Sequence, residues 1–174
     1  MPDSCPVWNL DDLYIGIDAP ALKADMAECH RAAKLLETEW RGRLGKLTAN
    51  QLIEVIKGYE TILERLGKVQ SHAQLLFAAN TNDAAIAKHH QSVREVGAEI
   101  GAALLFVELE LARIEEGRMG VLLKASGLRH FAPWLRRVRA MAPFQLSDEI
   151  EKIDFKPNKK LLKNIMSFSK SYVK

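Results

Sequence analysis

Leu52-Ile53-Glu54-Val55-Ile56-Lys57-Gly58-Tyr59-Glu60-Thr61-Ile62-Leu63-Glu64-Arg65-Leu66 decides the fold. Leu52, Ile56, Tyr59, Leu63 and Leu66 recur at alternating steps of four and three, the period of an amphipathic α-helix. Gln70, Ala73 and Phe77 continue the rhythm for about seven turns. Val55, Ile62, Val69 and Leu76 add a second line beside the first, so the stripe is wide enough to face more than one neighbour. Upstream, Thr48-Ala49-Asn50-Gln51 reads as a capping box that starts this helix, with Gln51 three residues after the capping Thr48.

The pattern extends in both directions. Asn80-Thr81-Asn82-Asp83 breaks the helix and caps another, which Ile86, Val93, Ile100, Leu104, Val107, Leu111 and Ile114 carry to about Glu116. Two helices of roughly 30 residues, each about 45 Å long, are joined by a short turn and must run antiparallel. Before them, Leu22, Met26, Cys29, Ala33, Leu36 and Trp40 mark a first helix, with Asp18 as N-cap and Pro20 in its first turn. Gly42 and Gly45 weaken its end. After them come shorter segments: Arg118–Ser126 closed by Gly127, a helix through Trp134, Leu135, Val138 and Met141 stopped by Pro143, and a last one capped by Ser147. No strand alternation is present. The expected fold is all-α, an elongated antiparallel helical bundle.

The 174 residues carry a net charge of +3, distributed unevenly. Residues 1–154 hold 19 Lys+Arg against 22 Asp+Glu, whereas 155–174 hold six lysines and no acid. This boundary divides a helical domain, 1–154, from a Lys-rich tail, 155–174. The tail is either a solvated helix or a segment of different origin, such as a shifted reading frame, and its removal should cost little stability. No apolar run approaches the roughly 20 residues of a membrane span. The start lacks a signal peptide's basic and apolar regions, and Cys5 and Cys29 are too few for a disulfide framework. The cytoplasm is the expected compartment.

Chemistry is sparse. A helical zinc site needs ligands three or four residues apart on one face. None of His30, His72, His89, His90 and His130 has His, Asp, Glu or Cys at those offsets. His90, between Ile86 and Val93, reads as a hydrogen-bonded interior histidine, and His89, about 100° around the helix, as solvated. Cys29 reads as a small buried hydrophobe. Glu108, Glu110, Glu115 and Glu116 are spread around their helix and read as a solvated face. Arg136, Arg137 and Arg139 beside Trp134 form an ordinary basic surface. Neither nucleic acid nor membrane is an expected partner. No residue is assigned as catalytic, cofactor-binding or metal-ligating.

Several landmarks resemble the N-terminal helical region of the oligoendopeptidase F family of zinc metallopeptidases. They are Trp8-Asn9-Leu10-Asp11-Asp12-Leu13-Tyr14, then Ala19-Pro20-Ala21-Leu22, then Leu76 to Asp83. Leu105-Phe106-Val107-Glu108-Leu109-Glu110-Leu111 follows, and Trp134 to Glu151 closes with Leu146-Ser147-Asp148-Glu149-Ile150-Glu151. The resemblance covers about residues 6–153. It implies a portion that helps wall a channel for short peptides, while the family's His-Glu-x-x-His zinc helix is found nowhere in these residues. The resemblance therefore implies a truncated part, inactive alone, with zinc and oligopeptide substrate belonging to a full-length relative. A helical interaction or self-association module is the alternative. The width of the Val55-Ile62-Val69-Leu76 stripe leads to the expectation of a homo-oligomer.

Overall fold

The computed structural model describes residues 9–142, which hold six α-helices and no strand. The helices are α1 Pro20–Trp40, α2 Ala49–Ala79, α3 Ala84–Arg113, α4 Glu116–Leu122, α5 Ser126–Arg129 and α6 Ala132–Met141, with a 3₁₀ turn at Leu44–Lys46. The readings for Cys5, Trp8, the stop at Pro143, the helix capped by Ser147 and the tail 155–174 lie outside the described residues. The 31-residue α2 and 30-residue α3 are the two long helices expected, and the fold is all-α.

Their signals operate as read. The Thr48 hydroxyl accepts from Gln51 N while Gln51 Oε1 accepts from Thr48 N, closing the capping box. Asp83 Oδ1 accepts from Ala85 N (2.8 Å) and Ile86 N (3.1 Å), two donors that the first turn of α3 would otherwise leave unpaired. With only residues 80–83 between them, α2 and α3 pack antiparallel, and α1 lies against both.

That arrangement covers the wide stripe. Val55, Ile62 and Val69 are all buried and Leu76 is half-buried, so α2 meets α1 on one side and α3 on the other. The apolar surface from which a homo-oligomer was expected is thus used inside the chain. Of the first line, only Leu63 among the large apolar residues remains notably exposed. α3 is buried more completely than its single stripe suggested. Ala103, Phe106, Leu109 and Ala112 join Ile100, Leu104, Val107 and Leu111 in the interior, because α6 covers a further face of the helix.

Local boundaries differ from expectation where side chains find other partners. Ala19 occupies the N-cap of α1 and makes no side-chain capping bond. Asp18 instead accepts from Lys23 Nζ at 2.9 Å. α3 stops at Arg113 rather than near Glu116, because Glu115 turns its carboxylate onto Gly117 N and Arg118 N and starts α4. Gly127 sits inside α5 and does not end the preceding helix. A Cβ there would lie 2.6 Å from Ile53 Cδ1, so the missing side chain lets α5 approach α2 closely. Gly42, at φ +80°, takes the left-handed conformation that leads the chain out of α1.

Two clusters make up the interior. The larger runs from Cys29 and Leu44 through Leu52, Ile56 and Leu104 to Leu128, Leu135 and Val138. The smaller lies at the opposite end, where Tyr14, Ala19 and Leu22 meet Val69, Ala73 and Val93.

Candidate functional site

The four late glutamates do not form a shared solvated face. Glu110 grips the chain after α1, with Oε1 accepting from Gly42 N (2.6 Å) and Oε2 from Leu44 N (3.1 Å). Glu108 accepts from the Tyr59 hydroxyl at 3.0 Å, and the Tyr59 ring stacks on Trp134. Burial, reinforced by Glu108, pushes the Tyr59 hydroxyl well above its ordinary pKa. Glu115 caps α4, where the two backbone donors hold its carboxyl below its ordinary pKa. Glu116 pairs with Arg139, which also donates to the Ile114 carbonyl. Each carboxylate is engaged separately, so the paired arrangement needed for acid–base chemistry is not assembled. The basic group divides in the same way: Arg139 is an internal strut, whereas Arg136 and Arg137 are exposed.

Cys29 is buried as expected, and its thiol reaches toward the Ile62 carbonyl at 3.8 Å. Burial raises its pKa against the opposing charge of Arg65, so it is a poor nucleophile. A groove of about 310 Å³ opens beside it between α1 and α2, lined by Ala32, Leu35, Leu36, Ile62 and Arg65 among others.

The histidines are arranged differently from their reading. His90 Nε2 lies 3.0 Å from Gln74 Oε1 and its ring stacks on Phe77 at 4.7 Å, but the residue is only half-buried. His89, expected in solvent, is half-buried, and its Nε2 is shut off from water without a hydrogen-bond partner. The leading segment 9–19 packs Tyr14 and Ala19 against α2 and α3, and its Asp18 lies close enough to act on the charge of His89. His72, which the reading did not single out, is fully buried with both ring nitrogens unpartnered. It sits three residues after Val69 and four before Leu76 on the second apolar line, a placement that could have marked it as interior. His30 lies 3.9 Å from Glu99 at the surface.

Tyr14 lies directly on His72. Its ring meets His72 edge-on at 5.3 Å, Lys68 Nζ lies 4.5 Å from its centroid, and its hydroxyl donates to Asp25 Oδ2 at 2.7 Å. Asp25 is also 3.4 Å from Arg65. Burial lowers the pKa of His72, although the Tyr14 backbone lies near enough to favour the charged ring without reaching hydrogen-bonding geometry. Burial lowers His89 too, with His72 and His90 adding to the effect and Asp18 opposing it. Among the described residues, no group of three or more His, Cys, Asp or Glu side chains is placed to hold a metal ion.

No curated protein and no solved structure matches the chain. The N-terminal domain model described as Oligopeptidase F matches residues 110–153. The matched stretch starts at Glu110, whose carboxylate holds the Gly42–Leu44 loop, and runs through α4, α5 and α6. Arg118 Nη2 donates to the Leu47 carbonyl at 2.9 Å within it, tying that stretch to the start of α2. The landmarks before residue 110 lie outside the match. Residues 110–153 are thus similar to the N-terminal domain of the oligopeptidase F family.

Proposed function

We propose that this chain acts as the N-terminal helical part of an oligoendopeptidase F-like zinc metallopeptidase, walling the channel that admits short peptides and doing no chemistry alone. The observation that carries the reading is the match over residues 110–153. Its support in the fold is that the matched segment is tied to the connection between α1 and α2 through Glu110 and Arg118, while Arg139 ties α6 back to the end of α3. Rigid, well-packed helices suit a wall that selects by steric access. A catalytic zinc site needs three protein ligands and an open position, and the reading leaves that chemistry to a partner domain bearing the His-Glu-x-x-His helix.

The test combines metal analysis with cleavage of a quenched-fluorescent oligopeptide. The chain alone should hold no stoichiometric zinc and cleave nothing. Added to a separately expressed zinc-bearing domain of an oligopeptidase F relative, it should associate and favour cleavage of short peptides over unfolded protein. Zinc-dependent cleavage by the chain alone, or failure to associate, would overturn the proposal. A homo-oligomer is a separate proposal, read directly from sedimentation at micromolar concentration.

A further inference from the structure

A fully buried histidine with neither ring nitrogen paired is costly. A buried donor or acceptor left unsatisfied carries its desolvation penalty uncompensated, and His72 leaves two such atoms while His89 Nε2 adds a third. Such groups are rare in folded proteins and call for a specific explanation. Both His72 nitrogens lie under one short element, and Asp18 of the same element stands close enough to His89 to act on its charge. The leading segment contributes Tyr14 and Ala19 to the smaller cluster, and Tyr14 covers His72 directly. The contacts that hold the segment down are the Tyr14–Asp25 hydrogen bond, the exposed Asp18–Lys23 pair, the Lys68 contact on the Tyr14 ring, and a small apolar patch in which Leu13, Tyr14 and Ala19 meet Leu22, Val69, Ala73 and Val93. Ile15, next to Tyr14, is 78% exposed and adds nothing to that grip.

We propose that residues 9–19 form an acid-releasable strap, in which protonation of His72 and His89 lifts Tyr14 from α2 and α3 and uncovers their apolar surface. The charges around the two rings favour this, although the Tyr14 backbone acts in the opposite sense on His72. From α2, Lys68 stands over the Tyr14 ring, and Arg65 faces Asp25. From α3, His90 adjoins His89 and disfavours its charged form. From α1, Asp25 is already engaged by Tyr14 and Arg65, and Lys23 engages Asp18. Asp18 is the acidic group that favours a charged His89, and it is exposed and already paired. Closed, the strap leaves an imidazolium no carboxylate of its own. Opened, it lets both rings take protons in water.

The linkage has a definite sign. The closed form keeps both rings neutral, so acid draws the equilibrium toward the open form below the ordinary imidazole pKa of about 6.5. Between pH 7.5 and 5.5 the opening constant should rise by up to about tenfold if one ring is responsible and up to about a hundredfold if both are.

Hydrogen exchange on the full chain tests this. Amides around Tyr14, and those of α2 and α3 beside His72 and His89, should lose protection by that factor after correction for intrinsic exchange. Amides around Leu128 and Leu135 should not. The His72→Leu, His89→Gln double variant should show no such loss, and His90→Gln should behave as the parent does. Side-chain NMR titration follows the rings independently of any variant. The proposal is overturned if protection near Tyr14 is the same at both pH values, if the loss is equal throughout the chain, or if both rings titrate normally with the strap closed.

Discussion

The two ends of the long-helix bundle treat buried polarity in opposite ways. At the end built around Leu44, Leu111 and Leu128, no buried side-chain nitrogen or oxygen among the described residues is left without a partner. Glu110 holds two backbone amides, Arg118 holds the Leu47 carbonyl and Arg139 holds the Ile114 carbonyl. At the end built around Tyr14, His72 and His89 enter without partners, and the apolar cluster around them is small. Satisfied polar groups fix loops to helices, whereas unsatisfied ones leave a segment that conditions can release. One chain thus has a locked end and a conditional end.

The comparison is tested most severely in the larger core. Leu111→Ala, at a fully buried position, should cost about 2–5 kcal/mol in urea unfolding, because a cavity is left in a tightly packed region. Glu110→Ala should cost about 1 kcal/mol, mainly by leaving the part-buried Leu44 amide without its carboxylate. A change near zero would mean that water replaces the carboxylate and that the locked end is less locked than described. Thr48→Ala should cost about 1 kcal/mol through loss of the capping box.

At the conditional end the expected sign reverses. His72→Leu removes two unsatisfied nitrogens and should leave stability at pH 7.5 unchanged or slightly raised, since replacing an unpaired polar group by an apolar one is often neutral or stabilising. Below about pH 6.5 the parent chain should lose stability, because the unfolded chain binds protons that its buried imidazoles refuse. The variant should lose less. Parallel stability–pH curves for the two proteins would remove the distinction between the ends.

The locked end was largely legible in the sequence and the conditional end was not. The four-three rhythm, Thr48-Ala49-Asn50-Gln51 and Asp83 are local signals, and the helices follow them closely. The partners of Glu110 and Arg118 lie 66 to 71 residues away, so no spacing rule within one helix reveals them. The half-burial of His89 has no local signal, because the groups that act on it include Asp18 and His72, which are distant in sequence. His72 did carry a usable signal, since it stands on the apolar line between Val69 and Leu76. The stripe was correctly read as wide, but its second neighbour proved to be part of the same chain.

The grip of Glu110 on Gly42 and Leu44 also bears on the order of folding. α2 and α3 are joined by residues 80–83 alone, so their pairing closes a short loop at little entropic cost. The Glu110 contacts span 66 and 68 residues and need that hairpin to exist first. They should form after the rate-limiting step, a latch set once the hairpin and α1 have met. Substituting Glu110 should therefore speed unfolding while leaving the folding rate close to its original value.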